Sequence, residues 1–92
     1  SISQALFMQD EIKIYPNPAS SYINIDFAND EIINNIKEIE ILDVNGRKVL
    51  SENIKSINNI IYTNNIANGI YIINVIDKGN FKLFNKKIVV IN

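Results

Sequence analysis

The sequence predicts an all-β domain folded as an antiparallel β-sandwich of about seven strands. Three observations predict it. Ile and Asn are heavily used in the 92 residues, whereas Ala, Leu, Glu and Gln are sparse; β-branched Ile favours strands and Asn tolerates turns. Apolar and polar residues alternate with a period of two in short runs, and no helical period is sustained. Turn signals separate these runs by roughly 8–12 residues, as in a sandwich. Hydrophobic residues make up 47% of the chain, which suits one globular core and argues against wholesale disorder.

Residues 1–11 have no period and read as a linker preceding a domain over 12–92. Ala5-Leu6-Phe7-Met8 is apolar but too short to assign, and the linker's end is expected to dock on the domain. Ile12-Lys13-Ile14-Tyr15 alternates as a first short strand. Pro16 ends its ladder because it donates no hydrogen bond, and each Pro holds the residue before it extended. Tyr15, Pro16, Asn17 and Pro18 therefore make a stiff corner, assigned mainly to structure. Ser21–Phe27 is the cleanest strand, with Ile23, Ile25 and Phe27 on one face and Tyr22, Asn24 and Asp26 on the other. Residues 28–35 read as a polar loop anchored by Ile32 and Ile33.

Ile36–Val44 and Arg47–Asn53 flank Asn45-Gly46, a strong short signal for a two-residue type I′ hairpin. That loop would set Val44 opposite Arg47, Asp43 opposite Lys48, Leu42 opposite Val49 and Ile41 opposite Leu50. Apolar residues on both sides near the turn imply that both faces are partly covered. Asn59–Thr63 is a short strand, and Asn64–Asn68 a loop with Ile66 tucked inward. Ile70–Asp77 is apolar on both faces, hence central. Lys78-Gly79-Asn80 turns the chain into the last strand, Phe81–Ile91. The set fits an immunoglobulin-like sandwich, with one domain and no internal repeat.

The chain has neither Cys nor His. That removes thiol nucleophiles, disulfides, the usual zinc ligands and the commonest general base. No apolar run approaches the roughly 18–20 residues of a membrane span, and no secretory signal peptide is present. With Ser1 in place of Met, the chain reads as a processed product or a cut fragment. The net charge of −1 conceals an asymmetry: residues 1–43 carry eight acidic and two basic side chains, residues 44–92 two and seven. A single Arg argues against nucleic acid. Lys78, Lys82, Lys86 and Lys87 instead suit the protection of an exposed edge strand.

Candidate chemistry is thin. Asp26, Asp30 and Glu31 lack the alternating ligand spacing of a calcium loop and read as solvated. Glu38 and Glu40 alternate with Ile39 and Ile41, so they read as the wet face of a strand rather than a carboxylate pair. Serines lack a base, and Gly46, Gly69 and Gly79 are spaced as turns. Tyr15, Tyr22, Tyr62 and Tyr71 are expected to pack in the core or at corners rather than form a sugar-stacking platform. No catalytic residue, metal ligand or cofactor site is assigned.

Four motifs in order, Tyr15-Pro16-Asn17-Pro18-Ala19-Ser20, the hairpin around Asn45-Gly46, Gly69-Ile70-Tyr71 and Lys86-Lys87-Ile88-Val89-Val90, resemble the C-terminal sorting domain of the type IX secretion system. The resemblance spans Ile12 to Ile91. It departs at Ile61-Tyr62-Thr63, where the family often has Ile-Asp-Leu, and at the more apolar Phe81–Asn85.

The resemblance implies a non-enzymatic export signal. It would direct a covalently linked upstream cargo through an outer-membrane translocon. A sortase-like protease would then cut in or beside residues 1–10, and the cargo would pass from periplasm to cell surface or medium. On that reading the last strand offers an unpaired edge. Gly69, Tyr71, Lys82, Lys86 and Lys87 are the candidate recognition residues, although gatekeeping against aggregation explains the lysines equally. The rival is an immunoglobulin-like carbohydrate-binding or adhesion module.

Overall fold

A computed structural model describes residues 10–92; the expected linker, with Ala5–Met8, falls almost wholly outside them. The described residues form β1 (Ile12–Tyr15), β2 (Tyr22–Phe27), α1 (Asp30–Ile33), β3 (Ile36–Leu42), β4 (Lys48–Asn53), β5 (Asn58–Tyr62), β6 (Gly69–Asp77) and β7 (Lys82–Val90). Two antiparallel sheets, β1-β2-β5 and β4-β3-β6-β7, stack as a three-on-four sandwich. The apolar parity of each strand decides which face turns in. Ile12, Ile14, Ile23, Ile25, Phe27 and Ile61 meet Ile39, Ile41, Tyr71, Ile73, Val75, Ile88 and Val90 in one core. The strand read as central is central: β6 lies between β3 and β7.

The β3–β4 hairpin differs from the expected two-residue loop. The Gly46 N–H donates to the Asp43 carbonyl at 3.0 Å, and the Asp43 N–H to the Arg47 carbonyl at 2.9 Å. Gly46 alone in the loop has positive φ, at 85°. This is a type I turn closed by a left-handed glycine, a three-residue loop. The Asp43 carboxylate selects it by accepting the Asn45 and Arg47 N–H groups, both at 2.9 Å. Leu42 therefore opposes Lys48, and a bulge at Val49 restores Ile41 opposite Leu50, the pairing expected from the sequence. The expected Asp43–Lys48 pair does not form; Asp43 pairs with Arg47 instead. Leu42, Val49 and Leu50 are half-buried, but Val44 sits exposed on the turn.

A methyl added at Gly46 would meet no atom within 4 Å, so its cost is purely conformational. Gly46→Ala should lower stability by about 1–2 kcal/mol, and Asn45→Ala by under about 0.5 kcal/mol. Urea titration of the two variants checks this; comparable losses would restore the type I′ turn.

Residues 28–35, expected as loop, contain α1. The Asn29 side chain accepts the Ile32 N–H at 3.0 Å, and Asp30 and Glu31 occupy the positive end of the first turn. A four-residue helix is too short to print a period. Its Ile32 is buried and Ile33 packs on the core, as expected for anchors.

Glu40 corrects another expectation. It is 8% exposed rather than wet. It lies on the outer face of an interior strand, between Ser51 of β4 and Asn74 of β6. Its carboxylate accepts the Asn74 amide at 3.2 Å and lies 3.6 Å from Lys48 Nζ, which also reaches Glu38 at 3.7 Å.

Candidate functional site

The lysine-bearing strand β7 forms one edge of the four-stranded sheet, and the Pro-rich corner lies against part of it. The Asn17 side-chain amide donates to the Lys87 carbonyl at 3.2 Å and accepts the Val89 N–H at 3.0 Å. The Ala19 N–H donates to the Val89 carbonyl at 2.7 Å, and the Ile91 N–H to the Ala19 carbonyl at 2.8 Å. Asn17 thus stands in for a peptide group, and Ala19 forms a one-residue parallel bridge to Val90. Tyr15-Pro16 and Asn17-Pro18 are both cis. The chain leaves β1, crosses to the other sheet to cover the end of β7, and returns as β2.

The corner covers β7 from Lys87 onward. The same parity turns the main-chain groups of Asn85 outward, and none of the described residues stands across from them. Among the described residues, the uncovered part of the edge therefore lies between Lys82 and Lys87.

The three candidate lysines do not share a face. Lys87 opposes Ile72, on the outer face; Lys86 opposes Ile73, on the inner one. A register shift between Val75 and Ile76 then sets Lys82 opposite Ile76. Ile72 and Ile76 share a face, so Lys82 and Lys87 do too, although strict alternation would pair Lys82 with Lys86. Lys82 and Lys87 are exposed. Lys86 is half-buried and donates to the Ile14 carbonyl at 3.1 Å, joining the two sheets.

Gly69 and Tyr71 open β6. Gly69 pairs with Val90, and Tyr71 with Ile88. Tyr71 is 6% exposed, and its hydroxyl donates to the Ala67 carbonyl at 2.5 Å. This contact has the form of the tyrosine corner of immunoglobulin-like folds. Beside it the Asn92 amide donates to the Thr63 and Ile66 carbonyls at 3.2 and 3.1 Å, which holds the loop before β6. Asn45 and Gly46 lie in the β3–β4 turn, outside the β7 edge.

The tyrosines were expected in the core or at corners. Tyr71 is in the core and Tyr15 at the corner where β1 ends, but Tyr15, Tyr22 and Tyr62 all stand exposed, with Ile60, on the outer face of β1-β2-β5. The cause is parity: they alternate with buried Ile14, Ile23 and Ile61. That signal was present in the sequence, since the Ile set fixes where its neighbours point. The Tyr15 hydroxyl donates to Asp26 at 2.5 Å, and this hydrogen bond to a carboxylate raises the pKa of the phenol. In the hairpin, the backbone N–H of Arg47 is the first cause that lowers the Asp43 carboxyl pKa.

Among the described residues no three Asp or Glu side chains are placed to hold a metal ion. Asp26 is on a strand, and Asp30 and Glu31 are on α1. No helix among these residues is long and apolar enough to cross a membrane.

A family model described as the secretion system C-terminal sorting domain matches residues 13–91. Comparison with curated proteins and with solved structures gave no match.

Proposed function

Because the chain belongs to the family of type IX secretion C-terminal sorting domains, we propose that it is read by the export machinery as a folded tag, through the open stretch of β7. The domain is a sorting signal for type IX secretion, and its family is not an enzyme family. Such tails ride on proteins destined for the cell surface or the extracellular space.

Residues 12–92 are the tag and residues 1–11 join it to an upstream cargo. An outer-membrane translocon binds the tag after the cargo reaches the periplasm, and a sortase-like protease later cuts in or beside residues 1–10. A strand from the translocon would pair with the main chain around Asn85, and acidic groups on it would face Lys82 and Lys87. Lys86 keeps the two sheets together at that edge; Gly69 and Tyr71 hold the strand against which β7 is laid. The corner Tyr15-Pro16-Asn17-Pro18 limits pairing to one length of strand. The observation that carries the export role is the family match over residues 13–91.

The test appends residues 1–92 to a fluorescent reporter sent to the periplasm of a host with a working type IX system. Lys82→Glu with Lys87→Glu should lower the secreted fraction by about tenfold or more, equal to about 1.4 kcal/mol of lost recognition, while thermal melting of the domain is unchanged. Undiminished secretion of the folded double variant would remove the lysines from recognition and leave them as guards of the edge. Retention of the unaltered fusion in the periplasm would sink the export role itself.

A further inference from the structure

The outer face of β1-β2-β5 is on the opposite side of the sandwich from the lysine pair, and it carries a second organised surface. Tyr22 and Tyr62 are direct cross-strand partners. Tyr15 opposes Asn24, two residues from Tyr22, and Ile60 opposes Asn24 from the other side. Direct partners lie about 5 Å apart at Cβ and diagonal ones about 7–8 Å, so the rings of three neighbouring strands form one patch. All three tyrosines are at least 44% exposed.

Asp26 continues the patch along β2. One of its oxygens accepts the Tyr15 hydroxyl, and no described residue bonds the other. Beyond it opens a pocket of about 320 Å³, lined by Lys13 and Asp26 with Asp10, Glu11, Phe27 and Ala28. Lys13 and Asp26 are themselves cross-strand partners and cancel in charge.

We infer that this face binds a neutral polysaccharide chain, one pyranose ring stacking on Tyr22 and Tyr62 and a ring about three units further along entering the pocket past Tyr15 and Asp26. The chemistry selects that ligand. A sugar ring offers a C–H face to an aromatic plane and hydroxyls at its rim. Tyr immobilises only two torsions when it binds, and the Asp26 carboxylate and Asn24 amide lie beside the rings as hydroxyl partners. A protein partner suits the face less well. Charged groups are depleted at the centres of protein interfaces, and here Lys13 and Asp26 sit between the aromatic patch and the pocket. Nor does the face suit an acidic ligand, since Asp10, Glu11 and Asp26 outnumber Lys13 around the pocket. This role is separate from the sorting role and uses the other sheet.

The test adds hexasaccharides of β-1,4-glucan, β-1,3-glucan, α-mannan and β-1,4-xylan to the isotopically labelled 92-residue chain and follows its amide resonances. At about 10 mM sugar, at least one should shift the amides of Tyr22, Asn24, Asp26 and Tyr62. Tyr62→Ala should weaken that binding by about tenfold or more, while Tyr62→Phe retains it. Stability should fall by no more than about 1 kcal/mol, the share of one cross-strand aromatic pair, because Tyr62 is 65% exposed. A reporter carrying Tyr62→Ala should still be secreted.

Four results would overturn the inference. One is no shift on this face with any of the sugars. Another is sugar binding that Tyr62→Ala leaves intact. The third is concentration-dependent shifts of these amides without sugar, which would mark the face as a contact between copies. Loss of secretion in Tyr62→Ala would assign the face to export instead.

Discussion

Ile73→Ala should lower the unfolding free energy by about 2–5 kcal/mol, the range for truncating a fully buried aliphatic side chain. Ile73 is 0% exposed, on the inner face of β6 between Ile41 of β3 and Lys86 of β7. A strand in mid-sheet, bonded on both sides, cannot collapse onto the cavity, so the cost should fall in the upper half of the range. A domain of this length holds about 5–14 kcal/mol in all, so the loss is a large share of it. Urea unfolding measures the effect, with Ile73→Val as a mild control at about 0.5–1.5 kcal/mol. Secretion of a reporter should fall with the folded fraction if the translocon reads a folded tag. Full secretion of an unfolded Ile73→Ala tag would show that it reads an extended segment.

Asn17→Ala carries the next largest effect, and it acts on two properties together. It removes both side-chain bonds to β7, worth about 1 kcal/mol each net, so stability should drop by about 1–3 kcal/mol. It also bares the Lys87 carbonyl and the Val89 N–H on an apolar edge, a template for another strand. Concentration-dependent association should appear in sedimentation velocity when it is absent from the unaltered chain. Asn17→Asp distinguishes the cause. Its carboxylate can accept the Val89 N–H but meets the Lys87 carbonyl with a second oxygen in place of a donor. It should lose stability while its charge resists association. If Asn17→Ala is as stable and as monomeric as the parent, the corner is a spacer and does not seal the edge.

Much of the fold was legible because it is written in local chemistry. The buried face of β2 follows from Ile23, Ile25 and Phe27 alone. The central place of β6 follows from its two apolar faces. The deep register of the β3–β4 hairpin, Ile41 opposite Leu50, agrees with the sequence only because the bulge at Val49 offsets a turn one residue longer than expected. The near-turn pairing does not, because the Asp43 side chain competes for the loop's N–H groups and changes the turn type. α1 escaped because four residues do not print a period. Tyr22 and Tyr62 stand exposed because they alternate with buried Ile23 and Ile61, and that parity outweighs the general tendency of aromatics to be buried.

The sequence by itself determined the strand set, the inward faces, the hairpin's existence and the family motifs, since each depends on residues a few positions apart. Tertiary structure alone decided three things. Asn17 and Ala19 seal one half of β7 across some 70 positions of chain. A bulge puts Lys82 beside Lys87 and leaves Lys86 on the other face. Three tyrosines from three strands gather on one sheet. Periodicity fixes the side to which a residue points, but only the pairing of distant strands fixes its neighbours on that side.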